Sequence, residues 1–419
     1  MSSRATHRSV WPSMTPTENT LAVWLHGIHV AELTRLRNGR LRLMWTPEAI
    51  AHWGEGACPL SLSLPTTVRR VQGAHLERYF EGLLPESPLR GQLERENGVA
   101  PDDVFGLLRA LGAECAGAVQ VLPSGTAPPS GTLRLLSDAE VGSVVSDLPT
   151  LPVADDLPMT ASLGGIQAKV LLTATPDGWA WPLGGAASTH IVKPEPISDA
   201  VIPDLVRLED WTMRLARAAG VSAATTEIQE FDGRTAIVVE RYDRVDGVRI
   251  HQEDLAQGLG LATRDKYEQE RSPGHLAALA NQATEHAADP ETFLDALLEQ
   301  VTFNVIVGNG DSHAKNYSYI IDAQARLHPA PMYDAAAVHL VVPRYDRSGL
   351  AVNGKTRLRY IKPGDLAAES ATWGRPIEQS RALVDDVVER VRRAAKDIDD
   401  DPCKVREKVL DRVADLVRD

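Results

Sequence analysis

Cysteine is scarce in this 419-residue sequence, which contains Cys58, Cys115 and Cys403 and no others. The three residues are far apart along the chain, so neither a disulfide framework nor a zinc site built from cysteines is predicted. We therefore expect the protein to work in a reducing cytoplasm.

Long apolar runs are also missing. No stretch approaches the roughly 18 uncharged apolar residues that a membrane-spanning helix needs. Residues 1–20 are polar and lack the apolar segment of a signal peptide. We expect a protein that is neither exported nor embedded in a membrane. The hydrophobic content of 43% is sufficient for the cores of two or three domains.

Positive charge is in short supply. The chain has 44 lysines and arginines against 57 acidic residues, which gives a formal net charge of −13. A broad nucleic-acid-binding face needs clustered Lys and Arg to neutralise phosphates. Any contact with DNA is therefore expected to be local or to pass through a partner.

The most informative stretch that the sequence does contain is 303–320, where an apolar run ends at Gly308 and a polar turn follows. The turn carries Asp311 and, five residues later, Asn316. Kinase-type phosphoryl transfer needs a carboxylate to take the proton of the substrate hydroxyl and an amide oxygen at this spacing to hold Mg²⁺. Asp334 follows as a candidate second metal ligand. The alternative is that Asp, Asn and Gly simply form turns.

Two upstream segments could contact phosphates. Residues 159–172 contain a glycine turn that leads into a strand, and such a turn lets the backbone approach a nucleotide closely. An ordinary hairpin turn, with Ser162 as a turn hydroxyl, is the alternative. Lys193 lies within a short apolar strand and could bind phosphates, with Glu209 to orient it, although most strand lysines only reach for solvent.

A hairpin over residues 226–239, turning at Asp232-Gly233, ends in a charged segment that would be the hinge between two lobes. Backbone groups of Glu240, Arg241 and Tyr242 could read the edge of an adenine, with the Tyr242 ring against its face. The alternative is a charged strand exit with one core tyrosine.

The pattern of elements predicts an α+β fold. Strands are expected over 21–30 and 39–45 around an Asn38-Gly39 turn, and helices over 80–95 and 102–111. The expected organisation is a polar extension (1–20), a small β-rich module (21–123), a turn-rich linker region (124–158), a nucleotide-binding lobe (159–242) and a helical lobe with the catalytic loop (243–419).

Two motifs are weaker than their patterns suggest. Residues 349–356 fit the P-loop pattern G-x-x-x-x-G-K-[ST] literally, but that loop must leave a buried strand and open a helix, and the surrounding residues favour neither. His251, Glu253 and Asp254 together suggest a metal site, but a capped helix start is the simpler explanation.

Taken in order, several short segments resemble one known family. They are Ser162 to Lys169, Thr189 to Lys193, Val239 to Arg244, Gln252 to Asp254, Lys266-Tyr267-Glu268, Gly310 to Asn316 and Tyr333-Asp334, together with Pro59 to Pro65, Leu83 to Pro88 and Gly117 to Val119 in the first module. The sequence thus resembles the HipA serine/threonine kinase toxins over nearly the whole chain after residue 20. The resemblance implies a HipA-like kinase fold with a two-lobed, protein-kinase-like core.

The resemblance implies the following site, with ATP and Mg²⁺ as cofactors. Asp311 would be the catalytic base, and Asn316 and Asp334 would hold Mg²⁺. Nucleotide contacts would come from Gly164, Gly165, Ile166, Gln167, Ala168, Lys169, Lys193, Glu240, Arg241, Tyr242, His313, Lys315, Asn316, Tyr333 and Asp334. Ser162 would be autophosphorylated, which inactivates the kinase, because the added charge would repel ATP.

The family also suggests partners. These are a helix-turn-helix antitoxin similar to HipB, operator DNA reached mainly through that antitoxin, and a protein substrate such as an aminoacyl-tRNA synthetase, with the glutamyl enzyme as first guess. Asn309-Gly310 replaces the His-Arg of ordinary kinases, and Tyr333-Asp334-Ala335 replaces Asp-Phe-Gly. Two alternatives stay open: a non-catalytic co-repressor of a DNA-binding antitoxin, and a small-molecule kinase on the same fold.

Overall fold

The computed structural model describes residues 19–87, 89–148, 168–196, 202–269 and 274–418. Ser162 and residues 164–167 of the expected phosphate-covering loop lie outside these ranges. The architecture is mixed helix and sheet, as expected from the sequence. Within the described ranges, no helix is both long and apolar enough to cross a membrane.

The amino-terminal unit is an antiparallel five-stranded sheet in the order β4-β3-β2-β1-β5. Its strands are β1 (Thr20–Leu25), β2 (Ile28–Arg35), β3 (Leu41–Trp45), β4 (Arg70–Gln72) and β5 (Val119–Pro123). The single strand expected over 21–30 is instead a hairpin. Its turn is at His26 and Gly27, whose φ angles of 50° and 77° are left-handed and reverse the chain.

Four helices accompany this sheet: α1 (Pro47–Trp53), α2 (Ala74–Gly82), α3 (Leu89–Glu96) and α4 (Val104–Leu111). Tyr79, Phe80 and Phe105 are buried with Trp45 of the sheet in one core. The continuous helix expected over 80–95 is broken between α2 and α3. Pro85 lies in the gap, where its ring removes a backbone donor and disfavours helix in the preceding residue.

A second sheet has the order β10-β11-β9-β7-β8-β6. It consists of β6 (Thr132–Leu135), β7 (Val170–Thr175), β8 (Gly178–Leu183), β9 (His190–Pro194), β10 (Thr226–Phe231) and β11 (Arg234–Glu240), with helices α5 (Asp138–Asp147) and α6 (Leu205–Ala218).

The segment expected to be a linker, 124–158, contributes β6 and α5 to this second unit. Helix α5 begins with a capping box, in which Ser137 and Glu140 each bond the other's backbone N–H. Val141 and Val145 then face the buried side of the sheet. The Ser137-x-x-Glu140 spacing was the sequence signal for this helix.

The carboxyl-terminal unit is mainly helical. Its helices are α7 (Leu255–Gly258), α8 (His275–His286), α9 (Pro290–Val307), α10 (Val338–Val341), α11 (Pro363–Ala371), α12 (Ile377–Asp397) and α13 (Val405–Val417). Short strands join them: β12 (Arg244–Val245), β13 (Val248–Arg249), β14 (Gln252–Asp254), β15 (Ser318–Ile321), β16 (Leu327–Pro329), β17 (Arg347–Val352) and β18 (Lys355–Arg357). The apolar run before Gly308 is the buried end of α9.

As predicted, residues 349–356 do not form a P-loop. They run through the hairpin of β17 and β18, which turns at Asn353 and Gly354 with φ angles of 48° and 73°. The lysine of the pattern, Lys355, forms an ion pair with Asp365 at 2.7 Å. Because a strand and not a helix follows the glycine, no helix N-terminus is present here to bind a phosphate.

Asp254 caps a helix, which is the simpler of the two alternatives for residues 251–254. Its Oδ1 accepts from the Gln257 N–H at 2.8 Å at the start of α7. Across the described ranges, no group of three or more His, Cys, Asp or Glu side chains is arranged to hold a metal ion.

Candidate functional site

The loop that carries Asp311 is fixed to the end of α9 by side-chain amides. Helix α9 ends at Gly308, whose left-handed φ of 67° lets the chain turn away. The Asn309 amide donates to Oδ1 of Asn304 at 2.9 Å, and its own oxygen accepts from the Asp311 N–H at 3.1 Å. The Asn316 amide closes the loop by donating to the Asp311 carbonyl at 2.8 Å. The backbone of Asp311 is thus held from both sides.

The Asp311 carboxylate projects from this loop with 56% of its side chain exposed. The Tyr267 hydroxyl donates to its Oδ1, and Nε2 of His313 lies 3.9 Å from the same oxygen. The surrounding protein still keeps enough water from this partly exposed carboxylate to raise its pKa, and this effect is larger than the lowering by His313 and by Tyr267. A raised pKa makes the carboxylate a better proton acceptor, as a general base requires.

Lys193, Glu209 and Asp334 form a compact charged triad. The Lys193 ammonium donates to Glu209 Oε1 at 2.8 Å and to Asp334 Oδ1 at 2.6 Å. Burial lowers the pKa of Lys193, but the two carboxylates more than offset this and raise it. Burial likewise opposes ionisation of Asp334, yet Lys193 brings its pKa down to about 2. Burial raises the pKa of Glu209 despite the opposing effect of Lys193, so Asp334 is the carboxylate of the triad that is most readily ionised.

The backbone of Asp334 is unusual, because its φ of 57° lies in the left-handed region. Residues other than glycine adopt this conformation rarely, although aspartate does so more often than most, and it is frequent at functional sites. The side chain is 38% exposed, whereas those of Lys193 and Glu209 are buried. Asp334 is thus the member of the triad that faces the open site.

Tyr333 connects Asp334 to the loop that carries Asp311. Its hydroxyl donates to the Lys315 carbonyl at 2.6 Å and lies 2.6 Å from the Ser318 hydroxyl. Its ring stacks near that of Tyr242, with centroids 6.0 Å apart and planes inclined by 29°. The two rings bring the expected hinge and the expected metal-binding segment together.

The hinge residues divide into different roles. The Glu240 and Arg241 N–H groups already donate to the carbonyls of Thr225 and Thr189, both at 2.9 Å. Adenine contacts from 240–242 would therefore fall on the remaining polar groups of the segment and on the Tyr242 ring. The Arg241 guanidinium is buried and bonds Asp243 and Glu114 instead of facing the site.

Of the expected phosphate-covering loop, only Ala168 and Lys169 are described. Burial lowers the pKa of Lys169 to about 8, with a further contribution from the nearby Lys193 ammonium and opposition from Asp334. The two lysines therefore act on the same small region beside Asp334. An anionic ligand there would favour the charged form of Lys169.

The sequence reasoning missed a role for Glu86, which lies in the gap between α2 and α3. Its carboxylate forms ion pairs with Lys315 at 2.8 Å and with Lys266 at 3.0 Å. Lys315, expected as a nucleotide contact, is thus held by the amino-terminal unit in this structure. In the sequence, Glu86 was noted only as part of the segment Leu83 to Pro88. No local pattern indicates that its partner Lys315 is 229 residues away.

A buried ionic cluster joins the amino-terminal unit to the hinge and was also missed. Glu114 Oε1 accepts from Arg241 at 3.2 Å and from Arg244 at 3.1 Å, and Oε2 pairs with Arg249. Asp243 accepts from the Gly117 N–H at 2.7 Å. Burial opposes ionisation of Glu114, but the arginines more than compensate and lower its pKa.

Asp334 and Asn316 carry oxygen atoms of the chemical type that Mg²⁺ prefers. Asp334 has a partly exposed carboxylate. The Asn316 side-chain nitrogen donates to the Asp311 carbonyl, so its amide oxygen is directed away from that carbonyl. Mg²⁺ in nucleotide enzymes takes one or two protein oxygens and completes its shell with water and phosphate. Asp334 and Asn316 are of the right chemical type for this.

Gly349 of β17 packs directly against the loop that carries Asp311, at Ser312 and His313. A Cβ at this position would lie 2.5 Å from both the His313 nitrogen and the Ser312 carbonyl carbon, so either the loop or the hairpin must shift. We expect Gly349→Ala to lower the free energy of unfolding by roughly 1–3 kcal/mol. Urea unfolding would measure this, with Gly364→Ala as a control because its Cβ meets only Arg381 at 4.0 Å. Equal stabilities for the two variants would contradict the close contact.

Comparisons with known proteins show which families and sequences the chain resembles. Residues 21–122 match the HipA N-terminal domain family, and residues 161–395 match the HipA-like C-terminal domain family. The chain is 34% identical over 400 residues to the "Putative kinase Y4mE" of Sinorhizobium fredii, covering 92% of this chain and 94% of that one. It is 29% identical over 345 residues to the serine/threonine-protein kinase toxin HipA of Shewanella oneidensis, covering 77% of each.

A solved structure is similar over almost the full length. It is the Shewanella oneidensis toxin–antitoxin complex of HipA, HipB and operator DNA. The TM-score is 0.80 at 26% identity, and the match covers 95% of this chain and 98% of the other. The likeness extends over both the amino-terminal unit and the two lobes that form the site.

Proposed function

Since this chain belongs to the HipA family, we propose that it is an ATP- and Mg²⁺-dependent protein serine/threonine kinase and the toxin of a bacterial toxin–antitoxin module. The observation that carries the proposal is that Asp334 and Asp311 lie close enough for the charge of Asp334 to help raise the pKa of Asp311. The Lys193–Asp334 pair can receive a nucleotide and its metal, and the exposed Asp311 can receive a proton. A phosphoryl-transfer enzyme needs both in one cleft.

The proposed reaction uses the residues as follows. The acceptor hydroxyl oxygen attacks the γ-phosphorus of ATP, the bond to the bridging oxygen breaks, ADP leaves, and the hydroxyl proton passes to Asp311. Lys193 holds phosphate oxygens and is itself oriented by Glu209. When bound at Asp334 and Asn316, Mg²⁺ neutralises charge on the phosphates. Tyr242 and Tyr333 provide an aromatic surface for the adenine ring of ATP.

The proposed partner is a helix-turn-helix antitoxin similar to HipB. The support is the similarity to a HipA that was solved together with HipB and operator DNA. With a formal net charge of −13, this chain is expected to reach operator DNA mainly through the antitoxin. The proposed protein substrate is an aminoacyl-tRNA synthetase, with the glutamyl enzyme first, and this rests on the family resemblance.

Self-phosphorylation of Ser162 gives the test. We expect dephosphorylated protein incubated with ATP and Mg²⁺ to gain the mass of one phosphate, because Asp311 can activate the serine of another copy. The Asp311→Ala and Ser162→Ala variants should gain none. Intact-mass spectrometry measures this, and phosphatase treatment beforehand supplies the common starting state.

The other outcomes discriminate between functions. Phosphate on Ser162→Ala but not on Asp311→Ala would keep the kinase and move the regulatory site. Transfer to a metabolite without transfer to any protein would favour a small-molecule kinase. No gain by wild-type protein that is shown to bind ATP would contradict the kinase and favour a co-repressor.

A further inference from the structure

Residues 266–268 lie beside the loop that carries Asp311. Hydrogen bonds attach them to three different parts of the structure. The Lys266 carbonyl accepts from the Ala314 N–H at 3.0 Å, which ties the segment to the catalytic loop. The Glu268 N–H donates to the Gly349 carbonyl at 2.8 Å, and its buried carboxylate accepts from the Ala351 N–H at 3.0 Å. The same carboxylate accepts at 2.8 Å from the Gly274 N–H before α8.

The amino-terminal unit adds a fourth attachment. Glu86 bridges Lys266, which precedes Tyr267, and Lys315, which follows Asp311 by four residues. Its carboxylate lies between the two ammonium groups, which more than offset the cost of burial and lower its pKa. The residues on both sides of Tyr267 are therefore held, so its Cα has a defined position relative to the catalytic loop.

Tyr267 uses this fixed position to contact the proposed base. Its hydroxyl donates to Asp311 Oδ1, and its ring lies edge-on to His313 with centroids 4.8 Å apart. The Tyr267 residue remains 47% exposed. A carboxylate has two oxygens, so a donor held at Oδ1 restrains the side-chain torsions of Asp311 and leaves Oδ2 to accept from the substrate hydroxyl.

We propose that Tyr267 is a positioning residue for phosphoryl transfer, which sets the rotamer of Asp311 so that Oδ2 faces the acceptor hydroxyl. This rests on the proposed kinase function. The contact does not bind nucleotide, because the partner of the hydroxyl is the base and not the Lys193–Asp334 pair. Its removal therefore slows the transfer step and leaves nucleotide binding unchanged.

The test is Tyr267→Phe, which removes the hydroxyl and keeps the ring against His313. Initial rates of self-phosphorylation of phosphatase-treated protein are measured against ATP concentration, and ADP·Mg²⁺ affinity is measured by calorimetry. We expect the maximal rate to fall about 10- to 100-fold, as for a misplaced catalytic group. The ATP concentration at half-maximal rate and the ADP affinity should stay within about twofold, which is our chosen margin for unchanged binding.

Two comparisons make the result specific. Tyr360→Phe is the matched control, because Tyr360 is also exposed and its ring lies beneath Arg359 at 4.9 Å. In an Asp311→Asn background, Tyr267→Phe should cause no further loss, because the group that it positions is no longer a base. Full additivity of the two substitutions would overturn the proposal.

The remaining outcomes also decide the matter. An unchanged rate overturns the positioning role, and a faster rate overturns it in favour of a tyrosine that blocks the acceptor. A fall in rate with an equal fall in ADP affinity shows a general disturbance and overturns it as well. Wild-type protein that binds ADP but transfers nothing would overturn the proposed kinase and this role with it, whereas failure of Tyr267 alone leaves the kinase standing.

Discussion

Replacing Asp334 by asparagine is expected to remove the Mg²⁺ dependence of ADP binding and to slow phosphoryl transfer by roughly 10³-fold, equivalent to several kcal/mol of charge stabilisation. The reason is that Asp334 supplies the partly exposed carboxylate of this region, beside the ammonium groups of Lys193 and Lys169. An amide in its place keeps an oxygen donor but removes the negative charge that attracts a divalent cation.

The measurement is calorimetric titration of ADP with and without Mg²⁺, followed by self-phosphorylation rates. Asp385→Asn is a matched control, because Asp385 is also paired with one basic residue, Arg381, and its side chain is 55% exposed on α12. The control should behave as wild type. A Mg²⁺-dependent gain in ADP affinity that survives in Asp334→Asn would show that the metal is held elsewhere.

Replacing Glu114 by alanine is expected to destabilise the protein by about 3–5 kcal/mol, the range measured when one partner of a buried ion pair is removed. Arg241, Arg244 and Arg249 all pair with this carboxylate, and its side chain is 1% exposed. Without it, arginines between the amino-terminal unit and the hinge lose their counter-charge. Urea unfolding followed by circular dichroism measures the change.

Glu389→Ala is the control, because it removes the same negative charge from a carboxylate that also pairs with arginines. Glu389 also lies between two arginines, Arg392 and Arg393, but it is 45% exposed on α12. Exposed pairs of this kind contribute about 0–1 kcal/mol. Similar losses for the two variants would mean that the Glu114 cluster is as well solvated as a surface pair and does not hold the units together.

The same cluster predicts a pH dependence. The pKa of Glu114 is lower in the folded protein than the ordinary glutamate value of about 4.5, because three arginines surround the carboxylate. A depressed carboxylate pKa contributes stability that is complete above the unfolded-state pKa and is lost as the pH falls through the folded-state value. Stability should therefore decline on acidification below about 4.5, and less steeply in Glu114→Ala.

The sequence by itself determined the features that depend on neighbours in the chain. The spacing of Asp311 and Asn316 is read directly from the sequence. Local backbone preferences predict the turn at Asp232-Gly233 and argue against a P-loop at 349–356. The expected helix over 80–95 was wrong because periodicity was weighed above Pro85. Helix α5 lies within the expected linker and was not predicted, because the capping box of Ser137 and Glu140 was not recognised.

Only the tertiary structure decided which distant side chains meet. Tyr267 and Asp311 are 44 residues apart, Glu114 and Arg241 are 127 apart, and Glu86 and Lys315 are 229 apart. No periodicity or turn signal encodes such pairs, because they arise when elements that are distant in the sequence pack together. The sequence therefore supplied the reactive groups, and the packing of the amino-terminal unit on the two lobes determined how those groups are held.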